Sequence, residues 1–418
     1  MNLLDQKICI IGMGYVGLPL AVCFGRRYET IGFDIEHERI SELRTGIDKT
    51  GELSKEEVLS SENLSFSSNL DEIKNCDVYI IAVPTPIDEG LNPDLEIIKN
   101  ASQLVGGVLN ENNVVVYEST VYPGCTEEIC IPILEEQSHL TVNKNLFCGY
   151  SPERVVPGDK SKRVENIVKI TSGSNEFASK FIDKLYASVI LAGTYPAKSI
   201  RVAEAAKVIE NVQRDVNISL VNEFSKIFSS LDIDTRDVLD AAETKWNFLK
   251  FKPGLVGGHC IGVDPYYLIH KANSTSTKPE LIETARKINH EMSHYVANKI
   301  DSLLKDQQIN SKANILIIGF TFKANCSDIR NTKVFDLFTS LESKGFNVEI
   351  YDPVADSNEV QRYYKIKLQE SLKTYDGVVY AVDHDDFNKL DFTKITKEKH
   401  VLFDLTASLP RNIISGRL

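Results

Sequence analysis

The sequence has no excess of positive charge. It carries 47 Lys and Arg against 59 Asp and Glu, which gives a formal net charge of −12 over 418 residues. General binding to nucleic acid requires a basic face, so we expect no nucleic-acid partner. A local group of cations could still bind one phosphorylated small molecule.

The eight cysteines form no CxxC pair and no Cys/His group with zinc spacing, so no metal site is expected. Several lie in apolar runs, as Cys9 does in KICIIG, and all but Cys260 are expected to be buried, reduced thiols of a cytoplasmic protein. Cys260 differs, because it follows a Gly257-Gly258 pair in KPGLVGGHCIGVDPYYL. Its side chain could be a nucleophile, a metal ligand or a small buried hydrophobe.

No uninterrupted apolar run is long enough for a membrane helix. The longest candidate, residues 8–25, is interrupted by Gly12, Gly14, Gly17 and Pro19. The first residues, MNLLDQK, lack the basic region of a secretory signal. We therefore expect no membrane segment and a cytoplasmic location.

Apolar β-branched runs alternate with amphipathic helical segments in the first part of the chain, as in KICIIG, TIGFDI, CDVYIIAVPTP and NVVVYEST. This pattern predicts an α/β fold whose parallel sheet is covered on both faces. The alternation restarts at ANILIIGFTFK near Ala313 and predicts a second, degenerate nucleotide-type α/β domain. The sequence thus indicates two Rossmann-like doubly wound domains.

Between these domains, residues 200–230 have apolar positions at three- and four-residue spacing without a helix breaker. The spacing predicts one long helix. A second helical run is predicted from about Glu280 to Leu304. A long helix after an α/β domain usually joins two domains or forms a subunit interface.

The segment IIGMGYVGLPLA contains a GxGxxG motif that follows a strand and opens a helix. Asp34 ends the next strand about twenty residues on, as a dinucleotide fingerprint requires. The helix N-terminus would face the pyrophosphate, and the carboxylate would hold ribose hydroxyls and favour NAD over NADP. A bare glycine turn, or adenylate binding without redox chemistry, are the alternatives. The cofactor contacts are expected at Gly12, Gly14, Tyr15, Val16, Gly17 and Asp34.

Two further loops follow strands, the VPTP loop with Thr85 and the YEST loop with Ser119 and Thr120. In an open α/β sheet the ligand lies at the carboxyl ends of the strands. We expect all three side chains to contribute to the cofactor site, although Thr85 and Thr120 could instead only cap turns.

Seven motifs occur together and in order: GMGYVGLP, VPTP, EST, SPERVVPG, AEAAKVIEN, GLVGGHCIGVDPYYL and GFTFKANCSDIRNTKV. In these motifs the chain resembles the UDP-glucose/GDP-mannose dehydrogenase family, and within it the branch that acts on UDP-N-acetylhexosamines. The resemblance implies a twofold, NAD-dependent oxidation of the sugar C6 hydroxyl to a carboxylate. It also implies an NAD domain over 1–197, a central helical dimerisation region over 198–305 and a C-terminal UDP-sugar domain over 306–418.

The resemblance implies catalytic roles for six residues. Cys260 matches the nucleophile that would hold the aldehyde as a thiohemiacetal and then as a thioester. Lys207 and Asn211, four apart on the long helix, match the donors to the developing oxyanion. Without the resemblance, Lys207 would be interpreted as a solvated charge and Asp264 as a turn cap. The remaining implied roles, in positioning water and moving protons, belong to Asp264, Glu153 and Thr120.

The implied contacts of the UDP-sugar are Glu153, Arg154, Val155, Lys207, Asn211, Lys250, Gly257, Lys323 and Arg330. Arg330 is expected to open a helix, where guanidinium and helix dipole both favour an anion. Ordinary surface charge is the alternative interpretation of Lys250, Lys323 and Arg330. Tyr266 and Tyr267 could line the pocket or pack in the core.

The sequence departs from UDP-glucose members at His259 and Val263, where those members commonly have serine and lysine. His259 could lower the pKa of the Cys260 thiol, but substrate shaping or loop packing is the favoured interpretation. The departure favours an acetylated substrate over UDP-glucose. UDP-glucose or GDP-mannose oxidation and a non-catalytic nucleotide sensor are the competing hypotheses. Capsule or O-antigen precursor synthesis and a homodimer are expected from the resemblance, whereas the hexosamine epimer is left open.

Overall fold

The computed structural model describes residues 5–155, 163–258, 260–310 and 312–418. The chain divides into two compact units. One comprises Met1–Glu210 with Tyr266–Thr277, and the other comprises Asn211–Pro265 with Lys278–Leu418. The three-part division at residues 197 and 305 stays a prediction.

The first unit is built on a six-stranded sheet in the order β3-β2-β1-β4-β5-β6, and all its strand pairs are parallel. This is the dinucleotide-binding strand order. The central strands are almost wholly buried, as their β-branched composition predicts. The strands are β1 (Ile8–Ile11), β2 (Thr30–Phe33), β3 (Leu64–Ser67), β4 (Val78–Ile81), β5 (Asn113–Tyr117) and β6 (Leu146–Tyr150).

In the described part of the chain before residue 198, seven helices and a small parallel strand pair, β7 (Lys169–Thr171) and β8 (Thr194–Pro196), accompany this sheet. A π-helix, Thr126–Cys130, runs directly into the sixth of these helices. The helices are α1 (Gly17–Gly25), α2 (His37–Arg44), α3 (Lys55–Leu59), α4 (Leu70–Ile73), α5 (Glu96–Gly106), α6 (Ile131–Ser138) and α7 (Glu176–Ala187).

A single helix of 31 residues, α8 (Ile200–Ser230), follows, and the division between the units falls within it. The expected long central helix is therefore confirmed. It is followed by α9 (Thr235–Ala242), α10 (Asp264–Asn273) and α11 (Glu280–Asp306). The second predicted helical run corresponds to α11.

The second unit contains a parallel sheet in the order β10-β9-β11-β12-β13. This is the other common doubly wound order, so the predicted α/β class with two Rossmann-like sheets is confirmed. The elements are β9 (Asn314–Ile318), α12 (Lys333–Ser343), β10 (Asn347–Tyr351), α13 (Ser357–Tyr364), β11 (Tyr375–Tyr380), β12 (Thr396–Asp404) and β13 (Gly416–Arg417).

The first turns of the two sheets have the same plan. Gly12 after β1 and Gly319 after β9 both have positive φ, +94° and +90°. Asp34 and Asp352 follow the next strand in each unit. In the second unit the buried carboxylate faces the His384 ring at 3.3 Å and accepts four backbone N–H groups, those of Phe320, Thr321, Val354 and Ala355.

Candidate active site

The glycine turn after β1 leaves open space for a ligand. A Cβ at Gly17 would lie 1.8 Å from the carbonyl oxygen of Gly12, so the strand and helix α1 meet too closely for any side chain there. A Cβ at Gly14, by contrast, would find nothing within 4 Å. Tyr15 and Val16 are half-buried between them. The turn thus packs tightly against its own sheet and opens on the other side, as a pyrophosphate site requires.

Asp34 is fixed beside this turn. Its Oδ2 accepts the N–H of Met13 at 2.8 Å, and its Oδ1 accepts the N–H of Glu36 at 3.0 Å. The carboxylate is only partly buried. It is therefore held rigidly at the end of β2 with lone pairs available for ribose hydroxyl groups.

The structure brings the loops after β4 and β5 together. The hydroxyl of Thr85 donates to the carbonyl of Thr120 at 2.7 Å, and that of Ser119 donates to the carbonyl of Val83 at 2.7 Å. Tyr267 is fully buried, and its hydroxyl donates to the Thr85 carbonyl at 2.9 Å. The three predicted hydroxyl residues are thus neighbours at the carboxyl ends of adjacent strands, and Tyr267 supports the loop from within the core.

A buried ion pair that the sequence did not suggest adjoins the second of these loops, since Glu118 directly precedes Ser119 in the chain. Glu118 pairs with Lys169, and the hydroxyl of Tyr186 donates to Glu118 at 2.6 Å. Burial raises the pKa of the Glu118 carboxyl, while the ammonium beside it acts in the opposite direction. The same ammonium donates to the carbonyl of Pro152 at 2.8 Å. The pair therefore holds the loop that carries Glu153.

In that loop, the Glu153 carboxylate accepts the N–H of Val155, and the Glu153 N–H donates to the carbonyl of Glu118 at 3.4 Å. Arg154 pairs with Glu210 at 2.7 Å and donates to the carbonyl of Val168. The end of the SPERVVPG motif, residues 156–158, lies outside the described residues.

Lys207 is 6% exposed, so its interpretation as a solvated charge is wrong. One turn earlier on α8, the Glu204 carboxylate accepts the N–H groups of Gly124 at 2.5 Å and Thr126 at 2.9 Å. Burial raises the pKa of Glu204 to about 7, against these hydrogen bonds. This carboxylate thus anchors the segment that follows Thr120 in the chain.

Cys260 is the one partly exposed cysteine, whereas the other seven are buried. Burial raises the pKa of the Cys23 thiol to about 12, which makes a buried thiol of this kind unreactive. The Cys260 carbonyl accepts the N–H of Asp264 at 2.8 Å, so the cysteine lies in the turn before α10. His259 lies outside the described residues, and its suggested effect on the thiol is untested.

The structure brings Asn211 and Asp264 together. The Asn211 amide donates to Asp264 Oδ2 at 2.6 Å, and Asp264 is 3% exposed. A simple turn cap would not need this buried partner on another helix. The cysteine, the aspartate and the asparagine therefore belong to one local arrangement in the second unit.

The three cationic side chains that were expected to contact the UDP-sugar lie in different local environments. Lys250 is paired with Glu243 at 3.2 Å, and Arg330 with Asp328 at 2.7 Å. The expectation that Arg330 opens a helix is wrong: α12 begins at Lys333, behind the N-cap Thr332. The left-handed backbone of Asn331, with φ of +52°, interrupts the helical path before that cap. Lys323 lies in the turn after β9, with Thr321 donating to its carbonyl at 2.9 Å.

Comparison with known proteins agrees with this architecture. Three family models match the chain: the NAD binding domain of the UDP-glucose/GDP-mannose dehydrogenase family over residues 6–190, its central domain over 201–291 and its UDP binding domain over 316–411. Among the described residues, no helix has the length and apolar character needed to span a membrane.

Relatives of known name match over nearly the whole chain. The UDP-N-acetyl-D-glucosamine 6-dehydrogenase of Salmonella typhi is 51% identical over 99% of both chains, and that of Pseudomonas aeruginosa is 49% identical over 96% of both. The solved structure of the UDP-D-ManNAc dehydrogenase of Pyrococcus horikoshii superposes with a TM-score of 0.89 at 28% identity, covering 99% of this chain and 98% of the other.

The fold and the glycine turn with Asp34 define an NAD-dependent oxidoreductase of the doubly wound α/β class. The residues present fit NAD, because the turn is open at Gly14 and a fixed carboxylate lies beside it. The chain belongs to the UDP-glucose/GDP-mannose dehydrogenase family and is an NAD-dependent nucleotide-sugar 6-dehydrogenase.

Proposed function

We propose that the chain oxidises the C6 hydroxyl of UDP-N-acetyl-D-glucosamine twice and releases the uronic acid. The observation that carries this proposal is that Cys260 is partly exposed and lies in the turn before Asp264. The Asp264 carboxylate accepts a hydrogen bond from the Asn211 amide. The glucosamine epimer is supported by the names of relatives at 51% and 49% identity. NAD, when bound, accepts one hydride in each oxidation.

Cys260 supplies the covalent step. Its thiolate adds to C6 of the aldehyde, forming a C–S bond, and the carbonyl oxygen becomes the thiohemiacetal hydroxyl after taking a proton. Loss of that proton and of the C6 hydride leaves a thioester. Water then attacks the thioester carbon, the C–S bond breaks, and the thiolate leaves as the carboxylic acid loses its proton. Cysteine suits both ends of this sequence because its thiolate is a strong nucleophile and a good leaving group.

The oxygen at C6 carries negative charge at each tetrahedral stage. We assign Lys207 and Asn211 as donors to that oxygen, because preorganised donors stabilise developing charge most. Asp264 accepts from Asn211 at 2.6 Å and so orients its amide. Glu153 and Thr120 are assigned to the water that hydrolyses the thioester, with Glu153 as the base.

The remaining expected contacts are assigned to the UDP-sugar. Cationic side chains would compensate the diphosphate, and backbone near Gly257 would approach the sugar closely. For Lys323 and Arg330 this assignment is supported by the UDP binding domain matched over residues 316–411. The proposed substrate contacts are Glu153, Arg154, Val155, Lys207, Asn211, Lys250, Gly257, Lys323 and Arg330.

The substrate is tested by NADH absorbance with a panel of sugar nucleotides. The panel contains UDP-N-acetylglucosamine, UDP-N-acetylgalactosamine, UDP-N-acetylmannosamine, UDP-glucose and GDP-mannose. We expect UDP-N-acetylglucosamine to have the highest kcat/KM and to yield two NADH per sugar. Preference for another acetylated sugar would overturn the epimer, and activity with UDP-glucose or GDP-mannose alone would overturn the substrate class. No NADH with any of them would contradict the reaction.

We further propose that two copies associate through α8, which exposes Val202, Ile209, Leu220 and Ile227. Exposed apolar residues repeated along one long helix are typical of an interface. Light scattering of the wild type should give twice the chain mass, and Ile209→Asp should reduce it. A cytoplasmic location and a role in making capsule or O-antigen precursors are proposed with the same reaction, since the product is an activated acidic sugar.

A further inference from the structure

The loop that leads to Cys260 is clamped at its start by one side chain of α8. The fully buried Asn222 donates from Nδ2 to the carbonyl of Gly254 at 3.1 Å and accepts the Gly254 N–H on Oδ1 at 2.8 Å. A side-chain amide that pairs with both groups of one residue fixes the position and the orientation of that backbone.

Asn222 is itself held by a buried network. Its Nδ2 also donates to Asn289 Oδ1 of α11 at 2.8 Å. Asn289 donates in turn to Asp215 Oδ1 at 2.7 Å, and Arg286 donates to the same oxygen at 2.6 Å. Because all four side chains are buried, the network is costly to leave incomplete. The orientation of the Asn222 amide is thus specified by side chains of α11 and of its own helix, α8.

The other end of the loop is clamped by Asn331. Its backbone carbonyl accepts the N–H of Gly258 at 3.1 Å, and its Nδ2 donates to the Gly258 carbonyl at 2.8 Å. A Cβ at Gly257 would lie 2.6 Å from the Asn331 carbonyl oxygen, and one at Gly262 would lie 3.0 Å from Asn331 Nδ2. The glycines on both sides of Cys260 therefore allow its turn to close around this asparagine.

We propose that Asn222 and Asn331 are positioning residues that fix residues 254–258 at both ends and thereby aim the Cys260 thiol. The proposal rests on the proposed function, in which that thiol is the nucleophile. A covalent step is sensitive to displacements of the order of 1 Å, which cost roughly 10²-fold in rate. Because Asn331 directly follows Arg330, a proposed contact of the nucleotide-sugar, the same clamp connects that loop to the cysteine turn.

Two variants test the clamps. Asn331→Gly removes the side-chain amide but tolerates the left-handed backbone at φ of +52°. Asn222→Ala removes both hydrogen bonds to Gly254. Each should lower kcat by about 10–100-fold with the KM for NAD unchanged. Asn217→Ala is the matched control, since Asn217 lies on the same helix and its amide donates to the Gln213 carbonyl within that helix.

A second readout does not depend on turnover. The rate at which iodoacetamide labels Cys260, followed by mass spectrometry of its peptide, reports the environment of the thiol in the resting enzyme. We expect the pH dependence of labelling to change in Asn331→Gly and Asn222→Ala and to stay as in the wild type in Asn217→Ala. Thermal unfolding of each variant separates a displaced thiol from a damaged fold.

The outcomes are distinct. Wild-type kcat and labelling in folded Asn331→Gly and Asn222→Ala would overturn the positioning roles, while an inactive Cys260→Ala would leave the proposed function intact. Full acid formation by Cys260→Ala would overturn the covalent function itself. If Asn222→Ala does not fold, Asn222→Asp, which still accepts the Gly254 N–H, and Asn331→Gly decide the question.

Discussion

Asp264 Oδ2 accepts a hydrogen bond from the side-chain amide of Asn211, on another helix, with an N···O distance of 2.6 Å. The aspartate is 3% exposed and begins α10, four residues after Cys260. Because one N–H of the Asn211 amide donates to this carboxylate, the other N–H is the one assigned to the oxyanion in the proposed mechanism. In that mechanism the two residues act as one oriented donor.

Replacing Asp264 by Asn should weaken the orientation of that donor, because a neutral amide oxygen accepts less strongly than a carboxylate and the amide can also turn its N–H groups toward Asn211. We expect Asp264→Asn to lower kcat by about 10²–10³-fold, the usual effect of losing an oxyanion donor, with little change in the KM for NAD. Steady-state kinetics measure both constants. Equal loss in kcat and in NAD affinity would indicate general damage to the fold instead.

Cys260→Ala should abolish acid formation, by about 10³-fold or more, because no thioester can form. Binding of NAD, measured by calorimetry, should be unchanged. Cys148→Ala is the control, since Cys148 is a fully buried thiol of β6 and its loss should only lower stability. Full acid production by the Cys260 variant would contradict the covalent mechanism.

Asp34→Ala should raise the KM for NAD selectively, because the carboxylate expected to accept the ribose hydroxyls is lost. Asp34→Asn keeps one oxygen acceptor but removes the charge, so it should discriminate less against NADP. Initial rates with both coenzymes give the ratio of kcat/KM. An unchanged KM in Asp34→Ala would mean that the ribose is held elsewhere.

Lys169→Met should leave Glu118 charged and unpaired in the core, and this should destabilise the protein by about 3–5 kcal/mol. The double variant Lys169→Met/Glu118→Gln should recover much of that loss. Lys180→Met, which breaks the exposed pair with Glu176, should change the free energy of unfolding far less, because solvent screens that pair. Urea denaturation measures the free energy of unfolding of all three. Equal effects of the Lys169 and Lys180 variants would show that the buried pair has no special role.

Stability should fall as the pH rises from about 4.5 to about 7, the raised pKa of Glu204. The folded protein holds this proton more tightly than the unfolded chain, whose carboxyl titrates near the ordinary value of 4.5. The stabilisation that Glu204 gives to the folded state is therefore complete below pH 4.5. It is lost progressively as the pH rises to about 7, where the folded carboxyl ionises. Glu204→Gln should flatten the curve over this interval. Parallel stability curves for the two proteins would refute the assignment.

Local features were predictable from the sequence. The glycine turn, Asp34 and the helix from Ile200 to Ser230 follow from motif and periodicity, which act over a few residues. The helix start expected at Arg330 was wrong because the left-handed backbone of Asn331 interrupts the helix. An asparagine in the sequence does not by itself predict that conformation. Local rules thus identify elements better than their ends.

Buried polar networks were not predictable. Lys169 is 51 residues from Glu118, and Asn222 is 32 from Gly254, so neither pair has a sequence signal of its own. Glu118 belongs to the YEST segment, in which only the neighbouring hydroxyl residues Ser119 and Thr120 were predicted to have a function. A carboxylate inside an apolar strand end is a signal that a partner must exist, even though it does not identify the partner.

The saturated carboxylate of Asp352 has a kinetic consequence. Four backbone N–H groups and His384 already occupy it, so it leaves no free acceptor for a ribose in the way that Asp34 does. Among the described residues, coenzyme is therefore expected at the glycine turn of the first unit rather than at that of the second. In the proposed reaction each sugar gives up two hydrides, so reduced coenzyme would have to leave and a new molecule bind midway through each catalytic cycle. The proposed thiohemiacetal bond to Cys260 would keep the reactive aldehyde attached to the enzyme during that exchange.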